Sequence, residues 1–319
     1  KAFRYNTAVT AADKQQYTKE CSDLVKSVMA DMGSIGARSC QLDLVLNASE
    51  LGLLPFELLL DENSVPYFAD ADRQWVLTRR IRQHSFEKSF VWPIKPRVLF
   101  AYSHGGGREV PFTHHLNELD AALRKWGGTN NADVFTLLAG ASFEEIEQAL
   151  QESDKGKYYT HVHILAHGQR TGEELYEMEY GVALGKAVFN VAVTAQWKRL
   201  FESLVHKPLL VNYMICDGAN FSNPLKPDKN PVQVTHKAGV PIVLGSQFPL
   251  SMDGSTLITG KLFRALFSGE DIRTTLHAIR VALYKKGTAY HDWISLVCYL
   301  RLPEGYTDLL FKNALAYEM

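Results

Sequence analysis

The sequence predicts an α/β protein with a mostly parallel central sheet that is covered by helices on both faces. From Arg97 onward, short continuous apolar runs alternate with amphipathic helical stretches. Continuous apolar strands joined by helices are typical of parallel sheets buried on both sides. The chain has 319 residues, of which 46% are hydrophobic, so it can bury a large core.

Five strands and four helices support this fold class, the first helix being indicated by apolar residues at helical spacing over 116–126. The predicted strands cover residues 97–102, 134–138, 159–166, 209–215 and 240–246. Ser142 and Glu145 form a capping-box pattern that opens a helix towards Leu150. Two more helices are predicted over residues 255–267 and 271–285.

The first 95 residues are organised differently. They contain a predicted helix over 12–32, a strand over 41–46 and a short helical or turn element over 53–59. Two prolines in the stretch 91–96 indicate a boundary. We therefore predict an N-terminal accessory part over residues 1–95 and a main α/β domain over residues 96–319.

Composition excludes several classes of protein. With 34 Lys plus Arg against 35 Asp plus Glu, the net charge of -1 is too small for a general nucleic-acid binder. No run of 18 uncharged apolar residues occurs, so no membrane span is predicted. The four cysteines show neither metal-ligand nor disulfide-framework spacing, which favours a reducing cytoplasm and no metal or cofactor. Because Lys1 is not an initiator Met, we expect a processed product or a piece of a longer chain.

One His and one Cys indicate catalytic chemistry. His167 and Cys216 each follow a predicted strand, and ligands of parallel sheets gather at the carboxyl ends of strands. If the two strands are neighbours, the His can lower the thiol pKa from about 8.5 to roughly 3.5–7.5. The backbone N–H groups of Gly168 and Cys216 could then stabilise an oxyanion.

Other site types fit less well. His161, His163 and His167 share one side of a strand, but further zinc ligands at matching positions are not evident, so His161 and His163 are predicted to face a covering helix. The stretch 103–107, Ser-His-Gly-Gly-Gly, is similar to an esterase oxyanion loop, but the chain has no G-x-S-x-G elbow. Nor does Gly-Lys-Ser/Thr follow, as a phosphate loop requires. We predict a flexible rim there, with His104 as a possible substrate contact.

Five motifs in order resemble the CHAT domain, a caspase-like cysteine peptidase of the clan of caspases, metacaspases, gingipains and separase. They are Leu-Leu-Pro-Phe-Glu-Leu-Leu at 53–59, Ile-Leu-Ala-His-Gly at 164–168, Asn-Tyr-Met-Ile-Cys-Asp-Gly at 212–218, the stretch 239–249 with Asp253, and 259–270. The resemblance spans about residues 40 to 300.

The resemblance implies a caspase-like three-layer sandwich whose catalytic domain is 96–319. It also implies a cysteine endopeptidase in which His167 is the acid and base and Cys216 is the nucleophile. Two departures concern the substrate pocket: Phe248 stands where CHAT sequences commonly have Trp, and Met214-Ile215 precede the cysteine instead of Ser-Ala.

The resemblance also suggests how substrate is bound. Many clan members hold a P1 Arg or Lys with a carboxylate, and Asp253 and Asp217 are the two candidates here. Asp253 could instead, or in addition, be the N-cap of a helix over 254–267. Ser246, Gln247 and Phe248 would offer backbone groups and an aromatic wall to an extended peptide.

Similar CHAT proteins are linked to regulators. The resemblance implies a protein substrate and an activating TPR domain, cyclic-nucleotide sensor or CRISPR effector. The chain would then be a cytoplasmic effector of bacterial antiviral defence. The alternative is a catalytically silent caspase-like scaffold that only binds protein partners, which would need neither His167 nor Cys216.

Overall fold

The computed structural model describes residues 11–28, 39–46, 52, 54–81, 92–107, 109–153, 158–171, 179–186, 190–216, 219, 230–287 and 291–318. Within these ranges the strands are β1 Ser39–Leu46, β2 Gln74–Ile81, β3 Val98–Tyr102, β4 Phe135–Ala139, β5 His161–Leu165, β6 His167–Thr171, β7 Glu179–Leu184, β8 Asn190–Ala192, β9 Leu210–Met214, β10 Ile242–Ser246 and β11 Leu296–Leu300. The helices are α1 Ala11–Val28, α2 Phe112–Leu123, α3 Phe143–Ser153, α4 Thr194–Ser203, α5 Pro231–Lys237, α6 Met252–Phe267, α7 Ile272–Lys285, α8 Asp292–Ser295 and α9 Tyr306–Glu318.

The central sheet has eight strands in the order β1-β2-β11-β10-β9-β5-β3-β4. Every neighbouring pair is parallel except β10 and β11, which are antiparallel. The five strands from β10 to β4 therefore end at one edge of the sheet, and β11 begins at that same edge. This arrangement confirms the predicted α/β fold with a mostly parallel sheet.

Helices cover both faces of the sheet, which gives three layers. Strand β9 shows the alternation that this requires, because Leu210 and Met214 pack in one core cluster while Val211 and Tyr213 pack in the other. The first cluster contains residues of α2, α6 and α7, and the second contains residues of α3, α4 and α5. Of the helices in the described part of the chain, none has both the length and the apolar content for a bilayer crossing.

The first part of the chain is joined to the sheet by a buried ion-pair cluster. Strands β1 and β2 extend the same sheet beyond β11. Glu57, 1% exposed, lies between two buried arginines: its Oε2 is 2.6 Å from Nη2 of Arg79, and its Oε1 is 3.5 Å from Nη2 of Arg280. The division at residue 95 stays a prediction, and residues 82–91 beside it lie outside the described ranges.

Candidate active site

Two adjacent strands bring His167 and Cys216 to the same level of the sheet. In the parallel pair β5–β9, Leu165 stands opposite Met214. Both predicted catalytic residues follow these partners by two positions, and the pairing continues as Ala166 N–H donates to Met214 O at 3.4 Å. Because neighbouring strands are about 4.8 Å apart, the two residues lie side by side at the carboxyl edge. Both are partly exposed.

Gly168 is required by the packing of these two strand ends. A Cβ atom at this position would overlap the backbone carbonyl oxygen of Cys216. The backbone that follows His167 therefore runs directly against the peptide unit of Cys216, and only glycine fits there. The His-Gly pair in the sequence has a steric cause at the strand ends themselves.

The loop that carries Cys216 is anchored on the end of β10. Ser246 Oγ donates to the carbonyl oxygen of Ile215 at 2.5 Å, and Ala219 N–H donates to Ser246 O at 2.8 Å. The thiol Sγ of Cys216 lies 3.9 Å from the carbonyl oxygen of Leu250. Cys216 therefore lies between the end of β9 and the segment that follows β10.

A second, smaller sheet begins at the candidate base. His167 is the first residue of β6, which forms the antiparallel sheet β6-β7-β8 and pairs with Ala183 of β7. The predicted rim 103–107 packs on this sheet, because Ser103 Oγ donates to Gly185 O at 2.9 Å. A Cβ at Gly105 would also overlap the backbone of Ala183. The small sheet thus holds both the base and the rim.

His104 lies one strand further from Cys216, after β3. Its Nδ1 accepts a hydrogen bond from the backbone N–H of Val110 at 3.1 Å, and its ring meets Tyr102 edge-on. A neutral ring with this bond carries its proton on Nε2. A substrate contact by His104 stays a prediction.

Ser246, Gln247 and Phe248 are buried, with exposed fractions of 0%, 1% and 5%. Gln247 Oε1 accepts from Arg79 at 3.3 Å, and Gln247 Nε2 donates to Gly52 O at 3.1 Å. Phe248 packs in the core cluster that also contains residues of α2, α6 and α7. These contacts are with groups of the protein itself, and a role of the three residues in peptide binding stays a prediction.

The predicted acidic residues have separate outcomes. Helix α6 begins at Met252, and the Ser251 hydroxyl accepts from Gly254 N–H at 2.9 Å, so Ser251 is the N-cap. The alternative in which Asp253 caps the helix is therefore wrong: the helix begins earlier, and Asp253 is an exposed residue of its first turn. Asp217 lies outside the described residues.

Asp253 belongs to an open groove of about 530 Å³ beside α2 and α6. The groove also contains three cationic side chains, of which Arg264 is paired with Glu118 at 2.6 Å. The described residues that line it include neither His167 nor Cys216. They are Pro111, His114, Glu118, Met252, Asp253, Thr256, Leu257, Lys261, Arg264 and Lys286.

The segment 291–295 adjoins the candidate site and was not predicted from the sequence. Its side chains and backbone bind the stretch 247–251, which runs beside Cys216. The only signal for it was a charged residue, Asp292, directly before the apolar run Trp293-Ile294. Such a residue is usually exposed, yet Asp292 is 2% exposed.

Deeper in the sheet, a chain of hydrogen bonds links two buried histidines. Asn212 Nδ2 lies 3.1 Å from His163 Nδ1, His163 Nε2 lies 3.0 Å from His115 Nδ1, and His115 Nε2 lies 3.1 Å from Ser255 Oγ. Rings that each carry one proton on Nε2 satisfy every link. Burial lowers the pKa of His115 to about 3 and that of His163 well below its usual value.

His161 and His163 face α6, as predicted. The ring of His161 meets Phe267 edge-on, and that of His163 meets Phe263 in the same way. Burial lowers the pKa of His161 to about 3. In the described ranges, no group of three or more His, Cys, Asp or Glu side chains is placed to bind a metal ion.

Comparisons with known proteins identify the fold. No family model matches the chain, and no curated protein matches it by sequence. The complex of Porphyromonas gingivalis RgpB pro- and mature domains is similar in structure at 12% sequence identity, with a TM-score of 0.51, over 88% of this chain and 68% of that one. This likeness shows that the chain has the caspase-like fold.

Two further solved structures are more distant. A secreted C11 cysteine protease from Bacteroides thetaiotaomicron, in complex with an irreversible peptide inhibitor, matches with a TM-score of 0.40 and 11% identity, over 61% of this chain. The separase–securin complex of Saccharomyces cerevisiae matches with a TM-score of 0.46 and 13% identity, over 82% of this chain. The chain spans 62% of the length of the first protein and 15% of the second.

Proposed function

We propose that this protein is a cysteine endopeptidase that uses His167 and Cys216 as a catalytic dyad. The observation that carries the proposal is the register of β5 and β9, in which Leu165 stands opposite Met214 and His167 and Cys216 each follow two positions later at the carboxyl edge of the sheet. Gly168 supports the proposal, because a residue without a Cβ allows the backbone after His167 to approach the Cys216 carbonyl closely. The caspase-like fold, shared with RgpB, is consistent with this chemistry.

In the first half of the reaction, His167 takes the proton from Sγ of Cys216. The thiolate attacks the carbonyl carbon of the scissile peptide bond, and the electron pair of the C=O bond moves onto oxygen. The N–H groups of Gly168 and Cys216 are the proposed donors to that oxyanion. When the intermediate collapses, the C–N bond breaks and the imidazolium gives its proton to the leaving amine.

In the second half, water hydrolyses the thioester. His167 removes a proton from the water as it attacks the acyl carbon, and a second tetrahedral intermediate forms. Its collapse breaks the C–S bond, releases the carboxylic acid and returns the proton to the thiolate. The cycle needs no cofactor or metal ion.

The proposed substrate is a protein segment that binds in an extended form and has a basic P1 residue. Asp253 supports the second part of this proposal, because it is an exposed carboxylate one residue after Met252, at the start of the helix that follows β10. Asp217, next to the nucleophile in the sequence, remains the second candidate. The family resemblance extends the proposal to an effector of bacterial defence that an activating sensor or partner protein switches on.

The test is cleavage of a fluorogenic peptide library and of candidate partner proteins by the wild type and by Cys216→Ala and His167→Ala. We expect both variants to lose at least about 10⁴-fold in kcat/KM. Cys40→Ala, which removes another partly buried free cysteine, and His206→Ala, which removes an exposed histidine, are the matched controls and should keep wild-type rates. Persistent cleavage by both dyad variants would contradict the proposed dyad, whereas no cleavage by the wild type would favour the scaffold alternative.

The P1 proposal has its own test with peptides that carry Arg, Lys, Asp or Leu at P1. Asp253→Asn should lose about 10²-fold or more on the Arg and Lys peptides and little on the Leu peptide, because only a cation needs the carboxylate. Asp308→Asn removes an exposed acid from the first turn of α9 and serves as the control. An unchanged P1 preference in Asp253→Asn would eliminate Asp253 as the specificity residue.

A further inference from the structure

The stretch 247–251 lies directly beside the candidate nucleophile, Cys216. It follows β10, and its Leu250 carbonyl oxygen lies 3.9 Å from Sγ of Cys216. Ser246, just before it, donates through its hydroxyl to the carbonyl of Ile215. One side of this stretch therefore meets the loop of the nucleophile.

The other side is bound at every second residue by the segment 291–295. The N–H of Gln247 donates to Ser295 O at 2.7 Å, and Pro249 O lies 2.7 Å from His291 Nε2. Asp292 holds the third position, since its Oδ1 accepts from the backbone N–H of Ser251 at 2.9 Å.

Asp292 forms the strongest of these links. Its Oδ2 also accepts a 2.5 Å hydrogen bond from the Ser251 hydroxyl, and a Cβ at Gly254 would overlap this carboxylate oxygen. The carboxylate, 2% exposed, thus rests against the first turn of the 16-residue helix α6. Hydrogen bonds from a backbone N–H and a hydroxyl to a carboxylate are stronger than those between neutral groups, and the helix N-terminus favours a negative charge there.

We propose that Asp292 is a positioning residue: together with His291, it fixes the stretch 247–251 at the distance from Cys216 that peptide binding and thiol chemistry need. The inference rests on the proposed function. The hydrogen bonds at alternate residues support it, because the segment 291–295 binds three backbone groups of a stretch that touches the nucleophile. Asp292 does not itself touch the reacting atoms.

The test compares Asp292→Ala with Asp271→Ala. Asp271 is the N-cap of the next helix, α7, at the far end of α6, so it provides a capping aspartate remote from Cys216. We expect the two variants to lose similar thermal stability. Only Asp292→Ala should raise KM for the best peptide, by about 10-fold, and change the rate at which iodoacetamide alkylates Cys216, by at least about 3-fold. Asp292→Asn keeps one of the two accepting oxygens and should restore part of both values.

If Asp292→Ala does not fold, His291→Ala and Ser251→Ala test the same links one at a time, and each should change the alkylation rate in the same direction. Equal KM and equal alkylation rates in the wild type, Asp292→Ala and Asp271→Ala would overturn the inference. The alkylation measurement, followed by mass spectrometry at Cys216, does not require peptidase activity. A chain that cleaves no peptide but shows the Asp292-dependent alkylation would therefore contradict the proposed function alone.

Discussion

Two pairs of residues, one within strands β5 and β9 and one just beyond their carboxyl ends, lie four residues apart and have opposite properties. In the interior, His163 stands opposite Asn212, and both are fully buried. At the carboxyl edge, His167 and Cys216 occupy the same relative positions but are partly exposed. The interior histidine is kept neutral by burial and has a fixed place in a hydrogen-bond chain. Position relative to the end of a strand therefore decides whether a histidine is packed in the core or partly exposed.

The largest effect expected from this comparison is that a substitution in the outer pair lowers activity, whereas one in the inner pair lowers stability. Cys216→Ala should remove at least about 10⁴-fold of kcat/KM and change the free energy of unfolding by less than about 1 kcal/mol. Asn212→Ala should instead cost about 2–3 kcal/mol, because it leaves buried polar groups unpaired, while kcat/KM stays within about 10-fold. Peptide kinetics and urea unfolding check both variants. A large loss of stability in Cys216→Ala, or of activity in a folded Asn212→Ala, would remove the distinction.

The second effect concerns the contact that holds the outer pair together. Gly168→Ala places a Cβ on the carbonyl oxygen of Cys216 and must push the two strand ends apart. Since a misplacement of about 1 Å can cost about 10²-fold in rate, we expect kcat/KM to fall by about 10²–10³-fold. Peptide kinetics on the folded variant, with circular dichroism as the fold control, measure this. If Gly168→Ala has wild-type kinetics, the spacing of the two strand ends does not limit catalysis.

The third effect is a dependence of stability on pH that comes from the interior. Burial lowers the pKa of His115 and His161 to about 3, whereas an unfolded chain has His pKa values of about 6.5. Between these values the unfolded chain binds more protons, so stability is complete above pH 6.5 and is lost as the pH falls towards 3. Each histidine contributes up to about 1.4 kcal/mol per pH unit in this window.

His161→Phe isolates one of these contributions. Phe can pack against Phe263 and Phe267 as the neutral imidazole does, but it does not titrate. Urea unfolding at pH 7.5, 6 and 5 should therefore show a shallower loss of stability than the wild type. Parallel curves for the two proteins would mean that His161 is not the source of the acid sensitivity.

The smallest effect is expected at the exposed start of α6. Asp253→Asn should change the free energy of unfolding by at most about 0.5 kcal/mol, because an exposed charge in the first turn interacts weakly with the helix dipole. Ser251→Ala removes both the true cap and the hydroxyl that donates to the buried Asp292 carboxylate, so it should cost about 2 kcal/mol or more. Thermal unfolding of both variants measures the difference. The reverse order would show that Asp253, and not Ser251, holds the helix end.

The parallel half of the sheet could be predicted because its strands are apolar on both faces. Strands β3, β4, β5, β9 and β10 are therefore confirmed, as is the capping box, in which Glu145 N–H donates to Ser142 Oγ at 3.1 Å. Strand β2 was missed because Thr78, Arg79 and Arg80 interrupt its apolar pattern. Arg79 is nevertheless buried, since Glu57 on a distant part of the chain neutralises it. Such pairing over long sequence distances has no local signal.

Part of the candidate site could likewise be predicted from the sequence, and part could not. His167 and Cys216 were predictable because each ends an apolar run, and parallel strands bring their ends to one edge. The contribution of residues 291–295 was not, because it depends on β11 running against β10. Leu296, the first residue of β11, stands opposite Ser246, the last residue of β10. A sequence pattern gives the presence of a strand but not its direction.

The reversed direction of β11 also determines where residues can be inserted without disturbing the central sheet. Chain that precedes an antiparallel strand enters the sheet at the edge where the parallel strands end, so the connection between α7 and α8 leads directly to His291 and Asp292. Residues inserted directly before His291 would enter the sheet at the edge where Cys216 lies and would interrupt no strand of the central sheet. If the proposed function is correct, the length of the chain between Lys285 and His291 offers a way to redesign substrate preference.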